Sequence, residues 1–251
     1  MTTSFPIPNS PLAGQAALIT GGAQRIGRAI ALRLARAGAN VAFTYRESTI
    51  QADRTLRELE ALGVSARAVE CDVRSEDSVR AALQAVVEAF GRLDLLVNNA
   101  AVFASTPFDQ ITVEEWDAVF ATNARGPFLV ARQALPHLRA ARGRIVNLGS
   151  LGGLRSWPGH AHYCSSKAAL HMLTQIMARS FAPEVSVNCV APGWIEFGLE
   201  PPERAAHFAG KTPLRRNGSA EDVSEAVLFF AAGPAFITGQ ILAVDGGLGL
   251  V

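Results

Sequence analysis

The feature that most constrains the fold of this chain is an apolar segment that runs directly into a glycine turn and a helical pattern, within residues 16–27. Residues 16–19 are apolar, Thr20-Gly21-Gly22 follows, and apolar residues then recur at helical spacing from Ile26. A strand, a glycine turn and a helix N-terminus together expose free backbone N–H groups and a positive dipole end, which bind phosphate. This pattern favours a nucleotide-binding βα unit. An ordinary tight βα turn is the alternative that the stretch alone leaves open.

The rest of the chain alternates between strand and helix patterns. Further strands are predicted at 41–44, 66–70, 93–97, 144–148, 185–190 and 240–244, and helices at 24–37, 51–62, 75–90, about 113–141 with an interruption at Gly126-Pro127, 163–181 and 220–232. This alternation predicts an α/β, single-domain Rossmann fold, a doubly wound parallel sheet of about seven strands with helices on both faces.

The predicted organisation is one domain over residues 15–251, because no composition break or internal repeat divides the chain. Residues 1–14 are rich in serine and proline and are expected to form a loose N-terminal arm. Residues 194–212 are the longest irregular stretch between predicted elements, and they are expected to act as a mobile substrate lid.

Composition excludes several classes of protein. Hydrophobic residues make up 49% of the chain and charged residues 18%, which is typical of a globular protein, and a net charge of +1 gives no general attraction to nucleic acid. Cys71, Cys164 and Cys189 show neither metal-ligand spacing nor a disulfide framework, so no metal site and a reducing compartment are expected. No apolar run approaches the roughly 18 residues of a membrane span, and no signal pattern is present. These observations predict a cytoplasmic protein without a membrane partner.

Four polar residues form the candidate catalytic group. Tyr163 and Lys167 are four residues apart on a predicted helix and therefore share a face, and a nearby ammonium lowers the pKa of a tyrosine. Such a tyrosine can give a proton to a developing alkoxide or amide anion. Ser150 follows the strand before that helix, and Asn123 lies in mid-helix, where a buried amide needs a polar partner.

Motifs in order along essentially the whole chain resemble the short-chain dehydrogenase/reductase family. They are Thr20-Gly21 to Gly27, Asn98-Asn99-Ala100, the four polar residues above, Pro192-Gly193, Thr238-Gly239-Gln240 and Asp245-Gly246-Gly247. The resemblance implies that Tyr163 is the acid, that Lys167 lowers its pKa and binds the nicotinamide ribose, and that Ser150 orients the substrate. It further implies that Asn123 supports a proton-relay water, that the cofactor carries the hydride, and that the protein is a homotetramer built on helices near 113–141 and 163–181.

The charge at the end of the second strand indicates NADPH as the cofactor. Tyr45 stands where an NAD-preferring relative would place an aspartate, and Arg46 follows, which can grip a ribose 2′-phosphate bidentately. Ser48 adds a hydroxyl donor, whereas Glu47 argues against the assignment unless it points away. The expected cofactor contacts are Gly21, Arg25, Ile26, Gly27, Tyr45, Arg46, Ser48, Asp72, Val73, Asn99, Ala100, Ala101, Tyr163, Lys167, Pro192, Gly193 and Ile195, with Asp72 and Val73 flanking the adenine.

Departures from the family pattern narrow the range of possible substrates. Arg25 replaces the middle glycine of the turn, and Phe103 follows Asn99 by four residues, where its ring can lie over a planar substrate. With the Tyr-Arg pair after the second strand, these features resemble the pteridine reductases, in which the arginine and phenylalanine hold a pterin. The resemblance implies NADPH-dependent reduction of a C=N or C=O bond, most simply in a pterin, a dihydropterin or another cyclic imine. The expected substrate contacts are Arg25, Phe103, Ser150, Tyr163 and Trp194.

Two alternatives stay open. Ser150 stands where pteridine reductases usually carry an aspartate, and this favours a 3-oxoacyl-carrier-protein reductase or a general ketone reductase. A carrier protein would need a basic patch, for which the candidates are Arg125, Arg132, Arg139, Arg142 and Arg144. A catalytically silent NADPH-binding sensor is the other alternative, and the intact set of four polar residues argues against it. Of the residues bordering the expected pocket, His160 and His162 are predicted to be solvated loop residues.

Overall fold

Seven apolar segments pair into one parallel sheet in the computed structural model, which describes residues 10–251. In chain order they are β1 Ala16–Ile19, β2 Asn40–Tyr45, β3 Ala66–Glu70, β4 Leu95–Asn98, β5 Arg144–Leu148, β6 Ser186–Pro192 and β7 Ile241–Val244. The spatial order is β3-β2-β1-β4-β5-β6-β7, and every pairing is parallel. Because the order reverses between β1 and β4, a crevice opens there beyond the carboxyl ends of the strands.

Helices cover both faces of the sheet. They are α1 Arg25–Arg36, α2 Thr49–Glu60, α3 Glu76–Phe90, α4 Val113–Phe120, α5 Gly126–Ala141, α6 Ala161–Phe181, α7 Pro202–Lys211 and α8 Ala220–Ala232. One core cluster includes Ile30 of α1 and Val227 of α8, and the other includes Leu83 of α3 and Val130 of α5. The two cores lie on opposite faces, as the alternating strands and helices predict. The predicted doubly wound α/β fold is confirmed.

Several boundaries follow local chemistry. Ser75 precedes α3 and its hydroxyl accepts the backbone N–H of Ser78, while Gly91 ends the same helix at a positive φ of 71°. A serine N-cap satisfies an orphan donor at a helix start, and a glycine adopts the left-handed conformation at the end without steric cost. Among residues 10–251, no helix combines the length and apolar composition needed to cross a bilayer.

The helical region predicted over 113–141 is present, but the interruption expected in it lies elsewhere and has another form. The helix is not interrupted at Gly126-Pro127. Instead, α4 and α5 are joined through one π-helical turn, Ala121–Arg125, and the backbone stays helical on both sides. Pro127 fits inside the first turn of α5, where its missing N–H costs little. The wider π turn carries Asn123, and such turns are frequent at functional sites.

Two other expectations need correction. Residues 194–212 are not irregular throughout, because Pro202–Lys211 forms α7, with proline at the start and Glu203 in its first turn. Of the expected loose arm, residues 1–9 lie outside the described range. Leu12 is buried and its N–H donates to the carbonyl of Ala37, so residues 10–14 belong to the folded domain.

Candidate active site

The turn after β1 is held against the end of β2 by main-chain hydrogen bonds. Gly21 has a φ of 65°, which favours glycine, and its N–H donates to Thr44 Oγ1 at 3.2 Å. The N–H of Gly22 donates to the carbonyl of Thr44 at 2.9 Å. A Cβ on Gly27 would overlap the carbonyl oxygen of Gly21 and lie 2.6 Å from Asn99 Nδ2. Only glycine therefore lets the first turn of α1 approach the loop so closely.

Thr20 and Asn99 lock this turn to the segment after β4. Thr20 Oγ1 accepts the N–H groups of Asn99 and Ala100, both at 3.0 Å. In return, Asn99 Nδ2 donates to the carbonyls of Thr20 and Gly21, both at 2.9 Å. The motifs Thr-Gly and Asn-Asn-Ala are thus two halves of one hydrogen-bonded unit at the crevice.

Arg25 occupies its glycine-like position at a steric cost. Its φ is 51°, a region that L side chains rarely adopt, and its exposed side chain extends toward the substrate end of the cleft. The guanidinium carbon lies 5.6 Å from the ring centroid of Phe197, within cation–π range. Phe197 was not singled out from the sequence, because nothing local indicates that its ring meets Arg25.

Arg46 lies in the cleft just after β2, next to the acidic residue Glu47. Arg46 Nη2 lies 2.7 Å from Glu47 Oε1, so Glu47 turns toward the guanidinium instead of pointing away. Ser48 Oγ accepts a long hydrogen bond from Gln24 Nε2 at 3.5 Å. Near the expected adenine position, Arg74 holds Asp72 through several hydrogen bonds, which keep the pKa of that carboxyl below its usual value.

The predicted contact residues surround one cleft of about 1280 Å³. It is lined by every residue expected to contact the cofactor and by the five expected to contact substrate. The glycine cradle, the free N–H groups at the start of α1 and the Arg46 guanidinium match the phosphates of a dinucleotide. The residues present therefore fit a nicotinamide dinucleotide. No cluster of metal-ligating side chains occurs among residues 10–251.

Tyr163 and Ser150 meet in this cleft. Ser150 is buried after β5, and its hydroxyl oxygen accepts the N–H of Gly152 at 3.0 Å. Burial raises the pKa of the Tyr163 phenol, and the nearby Ser150 hydroxyl partly offsets this rise. Lys167 was expected to lower the pKa of Tyr163, but burial dominates and the pKa of the phenol lies above its ordinary value. The phenol therefore stays protonated well above neutral pH. The effect of the Lys167 charge on the phenol stays a prediction.

Lys167 lies deep beneath the tyrosine. Its Nζ donates to the carbonyl of Leu148 at 2.7 Å and stands 6.0 Å from the centroid of the Tyr163 ring. Complete burial lowers the pKa of Lys167 to about 8, since an ammonium without a carboxylate partner is poorly solvated there. The lysine keeps its charge at neutral pH by a small margin.

Asn123 is buried, as predicted, and it has polar partners. Its Oδ1 accepts the N–H of Val102, and its Nδ2 donates to the carbonyl of Val102 and to Ser166 Oγ, at 2.9, 2.9 and 3.1 Å. Both amide protons are therefore occupied, and Asn123 is not among the cleft-lining residues. In this structure the side chain fixes the segment that leads to Phe103. Its expected role toward a relay water stays a prediction.

Aromatic rings wall the far end of the cleft. Phe103, 58% exposed, stacks on His160 at 4.9 Å and meets the Tyr163 ring edge-on at 4.8 Å. The ring of Trp157 lies nearly parallel to that of Tyr163 at 6.5 Å. Trp194 stacks on Phe208 of α7 at 3.9 Å, and its ring is also covered by the guanidinium of Arg204 at 4.8 Å.

The expectation of a solvated loop residue is wrong for His162, which lies in α6, whereas His160 is a half-buried residue of the loop before that helix. His160 Nδ1 is bonded to the carbonyl of Ala104 at 2.8 Å, and His162 is fully buried with Nε2 3.1 Å from Glu115 Oε1. The same carboxylate oxygen accepts Thr106 Oγ1 at 2.7 Å. These bonds tie the segment carrying Phe103 to the start of α6, so both histidines have structural partners, and His160 alone of the two lines the cleft.

His171 lies behind Ser150 and was not predicted from the sequence. Tyr163, Lys167 and His171 are spaced by four residues along α6 and therefore share one face. His171 Nε2 accepts the N–H of Ser150 at 3.4 Å. This regular spacing could have indicated from the sequence that His171 lies near the other two residues.

Comparisons with known proteins agree with this geometry. A family model described as enoyl-(acyl carrier protein) reductase matches residues 21–249. The 3-oxoacyl-[acyl-carrier-protein] reductase of Staphylococcus aureus is 38% identical over 240 residues, covering 93% of this chain and 98% of that protein. This relative does not support the resemblance to pteridine reductases.

Two solved structures share the fold over nearly the whole chain. A blue fluorescent protein from a metagenomic library, in complex with NADPH, is 36% identical with a TM-score of 0.88, and the match covers 95% of this chain and 99% of that one. An NAD⁺-bound xylitol dehydrogenase is 30% identical with a TM-score of 0.89, covering 94% and 99%. Similar structures thus bind either nicotinamide cofactor.

Proposed function

Because this chain belongs to the short-chain dehydrogenase/reductase family, we propose that it catalyses the NADPH-dependent reduction of a carbonyl group, with 3-oxoacyl thioesters as the substrate class. The observation that carries the proposal is that the buried Ser150 hydroxyl and the Tyr163 phenol line the same cleft, with Ser150 near enough to lower the pKa of the phenol. Two adjacent hydroxyl donors suit a carbonyl oxygen that gains negative charge as it is reduced. The similarity to a 3-oxoacyl reductase points in the same direction.

The chain's own residues supply the proton and the orientation. NADPH, when bound, supplies the hydride. The raised pKa of Tyr163 keeps its phenol protonated near neutral pH, so that it can act as the general acid. Ser150 Oγ already accepts the Gly152 N–H, which leaves its own proton free to donate to a substrate oxygen. The Lys167 ammonium lies beneath the phenol, where its charge favours the phenolate that remains after proton transfer.

NADPH is proposed over NADH because of Arg46. Its partner in the structure, Glu47, is exposed on the same turn, and a 2′-phosphate would compete for the same guanidinium. Arg46→Ala is expected to raise the KM for NADPH about ten- to a hundredfold, since a charge-assisted hydrogen bond contributes about 1.5–3 kcal/mol. The KM for NADH should change little. Glu47→Gln is the matched control and should lower the KM for NADPH. Equal effects of Arg46→Ala on both cofactors would contradict the assignment.

A free thioester is favoured over one attached to a carrier protein. The five arginines considered for a basic patch are not one open surface. Arg132 lies 2.5 Å from Glu76, Arg139 lies 3.9 Å from Glu184, and Arg144 donates to the carbonyls of Phe230 and Gly233. Arg125 donates a long hydrogen bond to the carbonyl of Arg74 at 3.4 Å, which leaves Arg142, too little positive charge to attract an acidic protein strongly.

Reduction of a pterin or another cyclic imine is the second candidate. It is favoured by the exposed ring of Phe103, which lies at the cleft beside Tyr163. An aromatic ring in that position can stack on a planar heterocycle. Ser150, in place of an acid, argues against it, because a hydroxyl is a much weaker proton donor than a carboxylic acid.

The deciding experiment is NADPH oxidation by the purified protein with acetoacetyl-coenzyme A, dihydrobiopterin and a cyclic imine in parallel. The proposal expects the highest kcat/KM with the thioester and its loss in Ser150→Ala. A preference for dihydrobiopterin that is lost in Phe103→Leu would favour the second candidate. Binding of NADPH without turnover of any acceptor would favour the sensor.

A homotetramer and a cytoplasmic location are also proposed. Apolar side chains remain exposed on the helices expected to form the interface, among them Met172 and Ile176 on α6 at 57% and 52%. Burying such a patch against another copy gains free energy. Light scattering on the purified protein tests the tetramer. All three cysteines are free, which suits a reducing compartment.

Residues 194–212 are proposed as the substrate lid. The α7 helix inside this segment rests on Trp194 through the ring of Phe208, and both rings line the cleft. Asn217 Nδ2 also donates to the carbonyl of Ala205 in α7. Because α7 forms no part of the sheet, it can move without breaking a strand pairing.

A further inference from the structure

His171 lies directly behind the loop 149–153, which carries Ser150. It is 5% exposed and lies one turn beyond Lys167 on the face of α6 that carries Tyr163. The proposed mechanism does not use its side chain. A polar ring buried at such a place needs an explanation, because burial of an imidazole costs free energy unless its polar atoms bond.

The loop that holds Ser150 is built around this ring. His171 Nε2 accepts the Ser150 N–H at 3.4 Å. A Cβ on Gly149 would overlap Nε2, and a Cβ on Gly153 would lie 2.6 Å from Cε1. The loop thus approaches the imidazole with glycines on both sides of Ser150, at distances that other residues would not allow.

The hydrogen bond fixes the protonation state of the ring. Since Nε2 accepts, it carries no proton, and a neutral imidazole must then carry its proton on Nδ1. Burial and the Lys167 charge lower the pKa of His171 to about 4. The titratable groups that face it are Lys167 on its own helix and Cys189 on β6, whose sulfur lies 2.7 Å from the position of a Cβ on Gly149. A neutral ring leaves the Lys167 ammonium without a second positive charge beside it.

We propose that His171 is a positioning residue, which holds the Ser150 main chain by accepting its N–H and thereby aims the Ser150 hydroxyl at Tyr163 and the substrate carbonyl. The inference rests on the proposed function, because it assigns His171 to the same reducing centre. His171 touches neither the substrate-facing hydroxyl nor the phenol itself.

The test compares His171→Gln with His171→Met. The two replacement side chains are unbranched and similar in length, but only glutamine offers a strong acceptor near the position of Nε2. His171→Met should lower kcat with acetoacetyl-coenzyme A about tenfold, the effect of misplacing one hydrogen bond in the transition state. His171→Gln should restore most of the loss, and the KM for NADPH should stay the same in both.

A double-mutant cycle separates positioning from a general structural role. If His171 acts through Ser150, the effect of His171→Met should nearly vanish in a Ser150→Ala background, because residues that act as a unit are not additive. Full additivity would overturn the proposal. Thermal melting and NADPH binding establish that each variant is folded, and His171→Leu replaces the methionine variant if that one fails to fold.

A second readout does not depend on turnover. The chain contains two tyrosines, Tyr45 and Tyr163, so a Tyr45→Phe background leaves Tyr163 alone to be titrated by tyrosinate absorbance. Because the nearby Ser150 hydroxyl lowers the pKa of Tyr163, His171→Met should raise that pKa and His171→Gln should not. An unchanged pKa in His171→Met would overturn the proposal. Failure of the wild type to reduce any acceptor would overturn the proposed function while this titration still decides the role of His171.

Discussion

The two ends of the cleft are built in different ways. The dinucleotide side, residues 20–27 and 99–101, consists mostly of small residues, and hydrogen bonds of the main chain and of short polar side chains join its two segments. The aromatic side is made of rings from three separate segments of the chain, two loops and one segment that includes α7: Phe103, then Trp157 and His160, then Trp194 and Phe208. The first side tolerates almost no added atom, whereas the second presents exposed rings to the cleft.

This contrast distinguishes a phosphate-binding loop with few possible sequences from an aromatic wall whose residues can change. A loop that must bring backbone N–H groups to a phosphate has few solutions, and glycines at defined positions are among them. A wall of rings can change its shape by one substitution without disturbing the sheet, since loops carry specificity on a rigid scaffold. Between the two sides lie Tyr163, Lys167 and Ser150, the residues proposed to carry out the reaction.

The largest expected effect is that of Tyr163→Phe on kcat. Tyr163→Phe removes the proposed acid and should lower kcat about a hundred- to ten-thousandfold, the contribution typical of general acid catalysis. The phenyl ring keeps its contacts with Phe103 and Trp157, so the fold and NADPH affinity should be preserved. Steady-state kinetics with acetoacetyl-coenzyme A, together with fluorescence titration of NADPH, measure both. Unchanged turnover would remove Tyr163 from the mechanism.

The next effect tests the tightness of the dinucleotide side. In Gly27→Ala the new Cβ overlaps the carbonyl of Gly21 and crowds Asn99, so the loop must move. We expect a loss of about 2–3 kcal/mol in the free energy of unfolding, comparable to overpacking elsewhere, and a large rise in the Kd for NADPH. Gly210→Ala is the matched control, because this glycine lies in α7 with open space around it, and it should stabilise the helix by up to about 1 kcal/mol. Similar behaviour of the two variants would mean that the turn is not as tight as the structure indicates.

The buried charge of Lys167 lowers the free energy of unfolding, although the proposed reaction needs this residue. Its pKa is about 8 in the folded protein against 10.5 for an ordinary lysine, a difference of about 3 kcal/mol in favour of the neutral form. Below pH 8 the charged lysine is present in both states, and the folded state bears the full cost of burying it. Between pH 8 and 10.5 the unfolded chain binds more protons, so the free energy of unfolding rises with pH.

Lys167→Met should therefore stabilise the protein at pH 7 by about 1–2 kcal/mol, after about 1 kcal/mol is subtracted for the lost hydrogen bond to Leu148. The gain should shrink as the pH rises toward 10, while reductase activity is lost at every pH. Urea unfolding at several pH values measures the difference. A destabilised variant at pH 7 would show that the buried charge is better compensated than its lowered pKa indicates.

The dinucleotide side was predictable from the sequence, and much of the aromatic side was not. The glycine turn, Asn99 and the buried amide of Asn123 follow from local rules on backbone geometry and polar burial, which act within a few residues. The burial of His162 depends on Glu115, which is 47 residues away and on another helix. No pattern around a histidine reveals such a partner.

Other features had a local signal that was not used. The α7 helix starts at Pro202 with Glu203 in its first turn, which is a recognisable helix start inside a segment interpreted as irregular. His171 continues the four-residue spacing of Tyr163 and Lys167. The pKa of Tyr163 was predicted from its nearest charge, yet burial, which depends on the whole fold, decides its direction.

The smallest expected effect lies where the two sides meet, at Arg25. Its φ of 51° costs about 1 kcal/mol for a residue with a Cβ, so Arg25→Gly should stabilise the fold by up to about that amount. Arg142→Gly is the matched control, since Arg142 has a φ of 49° at the end of α5, outside the cleft, and should give a similar gain. If the Arg25 guanidinium contacts the pyrophosphate or the substrate, only Arg25→Gly will raise a KM, and the cofactor or acceptor whose KM rises identifies the contact. Stabilisation of both variants with unchanged kinetics would mean that Arg25 serves neither side of the cleft, and that its strained backbone has no catalytic purpose.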